Sequence, residues 1–113
     1  MAEPSEALWL RLPEVTLERK ILEETPLGAT ASEVQEFIRE EGWDLVGADF
    51  HNAKKGFLDQ RVRPYAIVGQ SSIRAELGRY FGFPFWTYVT AFWGFDSEGK
   101  LIAIWVWKTV DGF

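Results

Sequence analysis

The chain has 113 residues, 47% of them hydrophobic and 16% aromatic, and a formal net charge of −5 at pH 7. That apolar content excludes intrinsic disorder, and the length suits one domain built on a single core. The lack of cysteine excludes a disulfide framework and cysteine catalysis, and the acidic balance argues against a nucleic-acid partner, whose phosphates need clustered Lys and Arg.

The opening Met1-Ala2-Glu3-Pro4-Ser5-Glu6 has neither a basic start nor a long apolar run, and no stretch approaches a membrane span. A cytoplasmic location with no membrane partner is expected. Leu8, Trp9, Leu10 and Leu12 are too apolar for a free tail, so residues 1–13 are expected to dock on the body as a strand or extended arm that Pro13 interrupts. From Glu14 to Glu24, Leu17, Ile21 and Leu22 recur at helical spacing, with Glu18, Arg19, Lys20, Glu23 and Glu24 on the wet side. Thr25-Pro26-Leu27-Gly28 ends that helix. Thr30 followed by Glu33 is a capping-box pair and predicts the start of a second helix, with Val34, Phe37 and Ile38 as its buried stripe and Gly42 as its left-handed stop. Trp43 and Leu45 then return to the core.

Residues 46–65 mix glycine and charge with the scattered anchors Phe50, Phe57 and Leu58, which reads as a long loop or a poorly formed strand pair. From Ala66 the chain is extended: Ile73, Ala75 and Leu77 alternate with Arg74, Glu76 and Gly78, and Gly82 with Pro84 turns the strand back. The last quarter, from Trp86 onward, holds two β-branched and aromatic runs about Asp96-Ser97-Glu98-Gly99, the pattern of a β-hairpin whose glycine takes positive φ. A three-residue loop would place Asp96 opposite Lys100 and pair Phe95 with Leu101, Trp93 with Ala103, Ala91 with Trp105 and Val89 with Trp107. In that register Trp93, Trp105 and Trp107 form one row, while Trp86, Tyr88, Thr90, Phe92 and Gly94 lie on the face beneath the helices. Both faces are apolar, so the sheet is either covered twice or left open on one side.

Gly28-Ala29-Thr30-Ala31-Ser32-Glu33-Val34 resembles the glycine, Ser/Thr cap and Glu-Val opening of the small outer-membrane assembly lipoproteins and of the β-lactamase inhibitor protein-like fold they share. Gly94-Phe95-Asp96-Ser97-Glu98-Gly99-Lys100-Leu101 is similar to the hairpin that closes such domains. The resemblance implies a scaffold that presents a sheet face or loops to another protein, as inhibitors, immunity-like proteins and assembly factors do. The lipobox cysteine of the lipoproteins is missing here, and the matched positions are caps and turns, which carry over no catalytic residue.

Candidate chemistry is sparse. His51, near Asp49, Asn52 and Asp59, is the sole histidine and lacks a second nitrogen or sulfur ligand at metal-site spacing, so a solvated loop histidine outweighs a base or a metal site. Ser71-Ser72 has no nucleophile elbow around it and reads as the start of a strand. Glu40-Glu41 points apart on a helix and reads as a solvated face rather than a dyad. Lys54-Lys55, Arg61 and Arg63 form a local basic cluster on the same loop, for which ordinary solvation is the simpler account.

The expectation is therefore an α+β fold: an N-terminal arm and two helices on a three- or four-stranded antiparallel sheet ending in a C-terminal hairpin. The leading function is a non-enzymatic protein-binding module, an inhibitor or immunity protein for a basic toxin or enzyme, with no cofactor and with Trp93, Trp105, Trp107 and Trp43 as the partner-binding residues. Two alternatives stand beside it. One is a small ligand-binding or enzymatic domain with a pocket between sheet and helices lined by Trp43, Tyr65 and Tyr80. The other is a structural homodimer that buries the odd-numbered face of the hairpin.

Overall fold

A computed structural model of the chain describes residues 9–45, 56–59 and 66–111. Helices α1 (Glu14–Glu24) and α2 (Ala31–Glu41) precede strands β1 (Asp44–Leu45), β2 (Phe57–Asp59), β3 (Ala66–Val68), β4 (Ser71–Gly82), β5 (Phe85–Phe95) and β6 (Leu101–Asp111). The fold is α+β, with a four-stranded antiparallel sheet in the order β1-β4-β5-β6 and a two-stranded ribbon of β2 and β3.

Each helix forms where its sequence signals lie. The Thr30 side chain accepts from the Glu33 backbone N–H at 3.2 Å while the Glu33 carboxylate accepts from the Thr30 N–H at 2.9 Å, the reciprocal pair that satisfies two orphan donors. The Thr30 N–H and the Thr30 hydroxyl, both donating to the Glu33 carboxylate, with Lys100 nearby, hold that carboxyl below the usual carboxylate range. At the other end Gly42 takes φ 74°, its N–H donates to the Arg39 carbonyl and the Trp43 N–H donates to the Ile38 carbonyl. This is a Schellman stop, and the hydrophobic contact that accompanies such a stop is the edge-on packing of Trp43 against Phe37, ring centroids 5.4 Å apart.

Leu17 and Ile21 of α1 and Val34 and Ile38 of α2 meet the sheet's inner face, where Ile73, Trp93 and Ile104 lie side by side across β4, β5 and β6. Trp93 is fully buried, and its indole N–H donates to the Thr25 hydroxyl, which in turn donates to the Ile21 carbonyl. A buried indole and a buried hydroxyl thus satisfy each other where α1 ends. The outer strand β6 is partly covered: its Val106 N–H donates to Glu18 of α1, and Leu101 exchanges backbone bonds with Gly28 and Ala29.

The C-terminal hairpin departs from the predicted register. Asp96 does face Lys100 around the loop Ser97-Glu98-Gly99, with Gly99 at φ 77°, and Phe95 does pair with Leu101. Gly94 then pairs with Ala103, leaving Ile102 as the extra residue of a β-bulge. Because strand side chains alternate, one extra residue inverts the rest of β6: Trp93 pairs with Ile104, Phe92 with Trp105 and Thr90 with Trp107. The row Trp93, Trp105 and Trp107 does not exist. Val89, Ala91 and Trp93 lie under the helices, and Trp105 and Trp107 look the other way.

A further expectation changes. Trp9 and Leu10 are helical, not extended, and Leu10 sits so close on Gly78 that a Cβ there would meet its Cδ1 at 2.9 Å. Phe57–Asp59, within the stretch read as a long loop or a poorly formed strand pair, is a short strand paired with Ala66–Val68. His51, Lys54, Lys55, Arg61, Arg63 and Tyr65 lie outside the described residues.

Candidate functional site

The outer face of the sheet is half covered. Phe57 of β2 lies over Gly94, where an added Cβ would meet its ring at 2.9 Å, and reaches Phe92 and Trp105 at centroid distances of 5.7 and 6.0 Å. Strand glycine here marks the place where a ring from another element approaches the backbone closely. Trp105, which stacks on Phe92 at 5.0 Å and on Trp107 at 5.5 Å, is left 2% exposed, and Trp107 is half-buried. Of the three indoles expected in one row, Trp93 belongs to the helix-side core, Trp105 to the seam under the β2–β3 ribbon, and only Trp107 of the three borders solvent.

Toward the β4–β5 turn the ribbon no longer covers the sheet. Phe81, Phe83 and Phe85 are exposed, Phe83 to 88%, and Phe81 packs edge-on against Trp86 at 5.1 Å. Arg79 lies over the Trp86 ring at 4.5 Å. The reason is local. Gly82 pairs with Phe85 around the tight turn Phe83-Pro84, so Phe81 and Phe85 flank the turn at the end of the two strands. Arg11 ties the N-terminal segment to this end, donating to the Phe81 carbonyl at 2.8 Å and lying over Tyr80 at 4.6 Å. Lys108 donates to the Leu12 carbonyl and the Tyr80 hydroxyl from the same side.

Trp43 lies elsewhere, on the helix side. With Trp9, at a centroid distance of 5.9 Å, and Phe37 it forms an aromatic wall beside an open cleft of about 230 Å³. Ile21 contributes to the lining, and the charged groups around it are Glu23 and Glu24 of α1, Glu41 of α2, and Lys20. Three acidic residues and one basic residue thus line it. The expected pocket lined by Trp43, Tyr65 and Tyr80 is not what forms: Tyr80 sits with Arg11 and Lys108, and Tyr65 is outside the described residues.

Both helices end against their own dipoles at this cleft. Cations stabilise a helix C-terminus and anions weaken it, yet α1 closes on Glu23-Glu24 with no basic residue in its last turn. Helix α2 closes on Glu40-Glu41, and the basic residue of its last turn, Arg39, is paired with Glu36. The arrangement gathers acidic residues beside partly buried aromatic side chains, where a cation would be attracted by both.

Trp43, expected to bind a partner, lines this cleft, whereas Trp9, Phe37 and the glutamates beside it were not expected there. The signals were present as the paired glutamates at two helix ends and as the ring-rich Phe81-Gly82-Phe83-Pro84-Phe85-Trp86 run. Among the described residues no group of three His, Cys, Asp or Glu side chains is placed to hold a metal ion, and no helix is long and apolar enough to cross a membrane. Compared with protein-family models, curated proteins and solved structures, the chain matches none of them.

Proposed function

We propose that this chain is a non-enzymatic protein-binding module that grips a basic partner, in the manner of an inhibitor or immunity protein. One observation carries the reading: the rings of Phe81, Phe83 and Trp86 cluster at the open end of the sheet, with Phe83 88% exposed, and Phe85 of the same turn is exposed as well. Aromatic side chains clustered at the surface cost solubility and are the residues that dominate binding hot spots. The net charge of −5, with the glutamates of α1 and α2 on the solvent side, favours a partner of opposite sign and speeds its encounter.

The immobilised full chain should retain a basic protein saturably from its native host. The Phe83→Ser, Phe85→Ser double variant should retain it roughly tenfold less, with an unchanged unfolding midpoint. Equal retention by both proteins would overturn the reading. A homodimer closed through the same rings is the second reading, since their exposure serves a second copy equally well. Sedimentation velocity from low to high micromolar concentration separates the two, because a concentration-independent monomer removes the dimer.

A further inference from the structure

We infer that the cleft between α1, α2 and the N-terminal segment is a receptor for an alkylammonium group, the head of a lysine side chain on the partner. This rests on the reading of the chain as a binder of basic proteins and names the group that is bound.

Three independent features converge on that chemistry. The wall is aromatic: Trp9 and Phe37 each contact the Trp43 ring, and all three line the cleft while only partly buried against the core. Ring faces attract cations, tryptophan most strongly, and the attraction grows as the cation leaves water. The rim is anionic, with Glu23, Glu24 and Glu41 against Lys20. Beneath both lies the fixed field of the two helix C-termini, which carries the same sign as the carboxylates. Its opening of about 230 Å³ admits one extended side chain and its charged end, and is too small for a folded element.

The placement of charge carries the inference beyond an ordinary apolar dimple. Glutamates at helix C-termini are unfavourable toward the dipoles of the helices that bear them, so the helix dipole does not account for their position beside these rings. A bound cation relieves all three carboxylates and both dipole ends together. Lys20 lies in the same lining and offers an internal ammonium, which competes with an incoming one. The segment that carries Trp9 also carries Arg11, which donates to the Phe81 carbonyl, so the cleft and the exposed rings of the β4–β5 turn are joined by two residues of chain.

The test titrates the full chain with Nα-acetyl-lysine methylamide, its trimethylammonium form, Nα-acetyl-arginine methylamide and the neutral norleucine analogue, following indole emission and the Trp9 and Trp43 side-chain resonances. Both ammonium probes should shift those two resonances saturably, and the norleucine analogue should not. Neutralising the exposed rim by Glu23→Gln, Glu24→Gln or Glu41→Gln should weaken the lysine probe roughly two- to fivefold per charge, and Lys20→Ala should strengthen it by a similar factor. These are surface changes whose folding is checked by far-ultraviolet circular dichroism, and a merely structural role for the glutamates would not reverse sign at Lys20. Binding of the norleucine analogue as well as lysine would overturn the inference, as would saturable binding of the arginine probe alone or no shift at Trp9 and Trp43. Such a failure leaves capture through Phe83 and Phe85 untouched, whereas loss of that capture with lysine binding intact would sink the partner reading and spare the cleft.

Discussion

Thr25 stands at the end of α1 with its hydroxyl donating to the Ile21 carbonyl and accepting the Trp93 indole N–H, in a setting 2% exposed. Thr25→Val keeps the volume and removes the acceptor, so a buried indole donor is left without its partner. Chemical denaturation should show a loss of about 1–3 kcal/mol. A neutral result would mean that the indole finds another acceptor. Glu33 gives a pH-dependent counterpart. Its folded pKa is depressed by the Thr30 hydrogen bonds first and by Lys100 last, so the stabilisation is present above the ordinary carboxylate range and is lost as pH falls through the lowered folded value. The stability difference between the parent chain and Glu33→Gln should accordingly shrink on acidification and stay flat from neutral pH upward.

At the scale of elements, two glycines decide where rings go. Gly42 takes φ 74° with open space around its Cα, so Gly42→Ala meets only backbone strain, about 1–2 kcal/mol, and Gly42→Asn less. The measurable consequence is at Trp43, whose packing on Phe37 depends on that reversal. Gly94 differs, being constrained by what lies above it: a Cβ would meet Phe57 at 2.9 Å and the Val68 carbonyl at 3.2 Å. Gly94→Ala should lift Phe57 and the β2–β3 ribbon, lower stability by about 1–3 kcal/mol and shift Trp105 emission to the red as water reaches it. Unchanged emission would show that the ribbon adjusts without leaving the sheet.

For the whole molecule, sign and location of charge govern association. Helices bearing glutamate on their wet sides lie over one face of the sheet, and the exposed rings lie at its far end, so a basic partner is drawn by one and held by the other. Raising salt from low to physiological strength should slow association markedly while changing dissociation little, because screening acts on the approach. A salt-insensitive association rate would remove charge from the recognition.

The sequence by itself determined whatever depends on neighbours along the chain. The Thr30–Glu33 capping box, the Gly42 stop, the two helices and the Asp96–Lys100 loop all follow from groups a few residues apart whose hydrogen bonds leave little choice. Tertiary structure alone decided which face each ring occupies. The Ile102 bulge adds one residue to β6 and moves Trp105 and Trp107 away from Trp93, a choice between two apolar faces that an alternating pattern cannot make. It also decided that Trp9, Phe37 and Trp43, from three separate segments, meet beside the carboxylates of two helix ends. Nothing in local propensity brings those segments together. They meet because α1 and α2 pack on one sheet and Leu10 seats the N-terminal segment on Gly78.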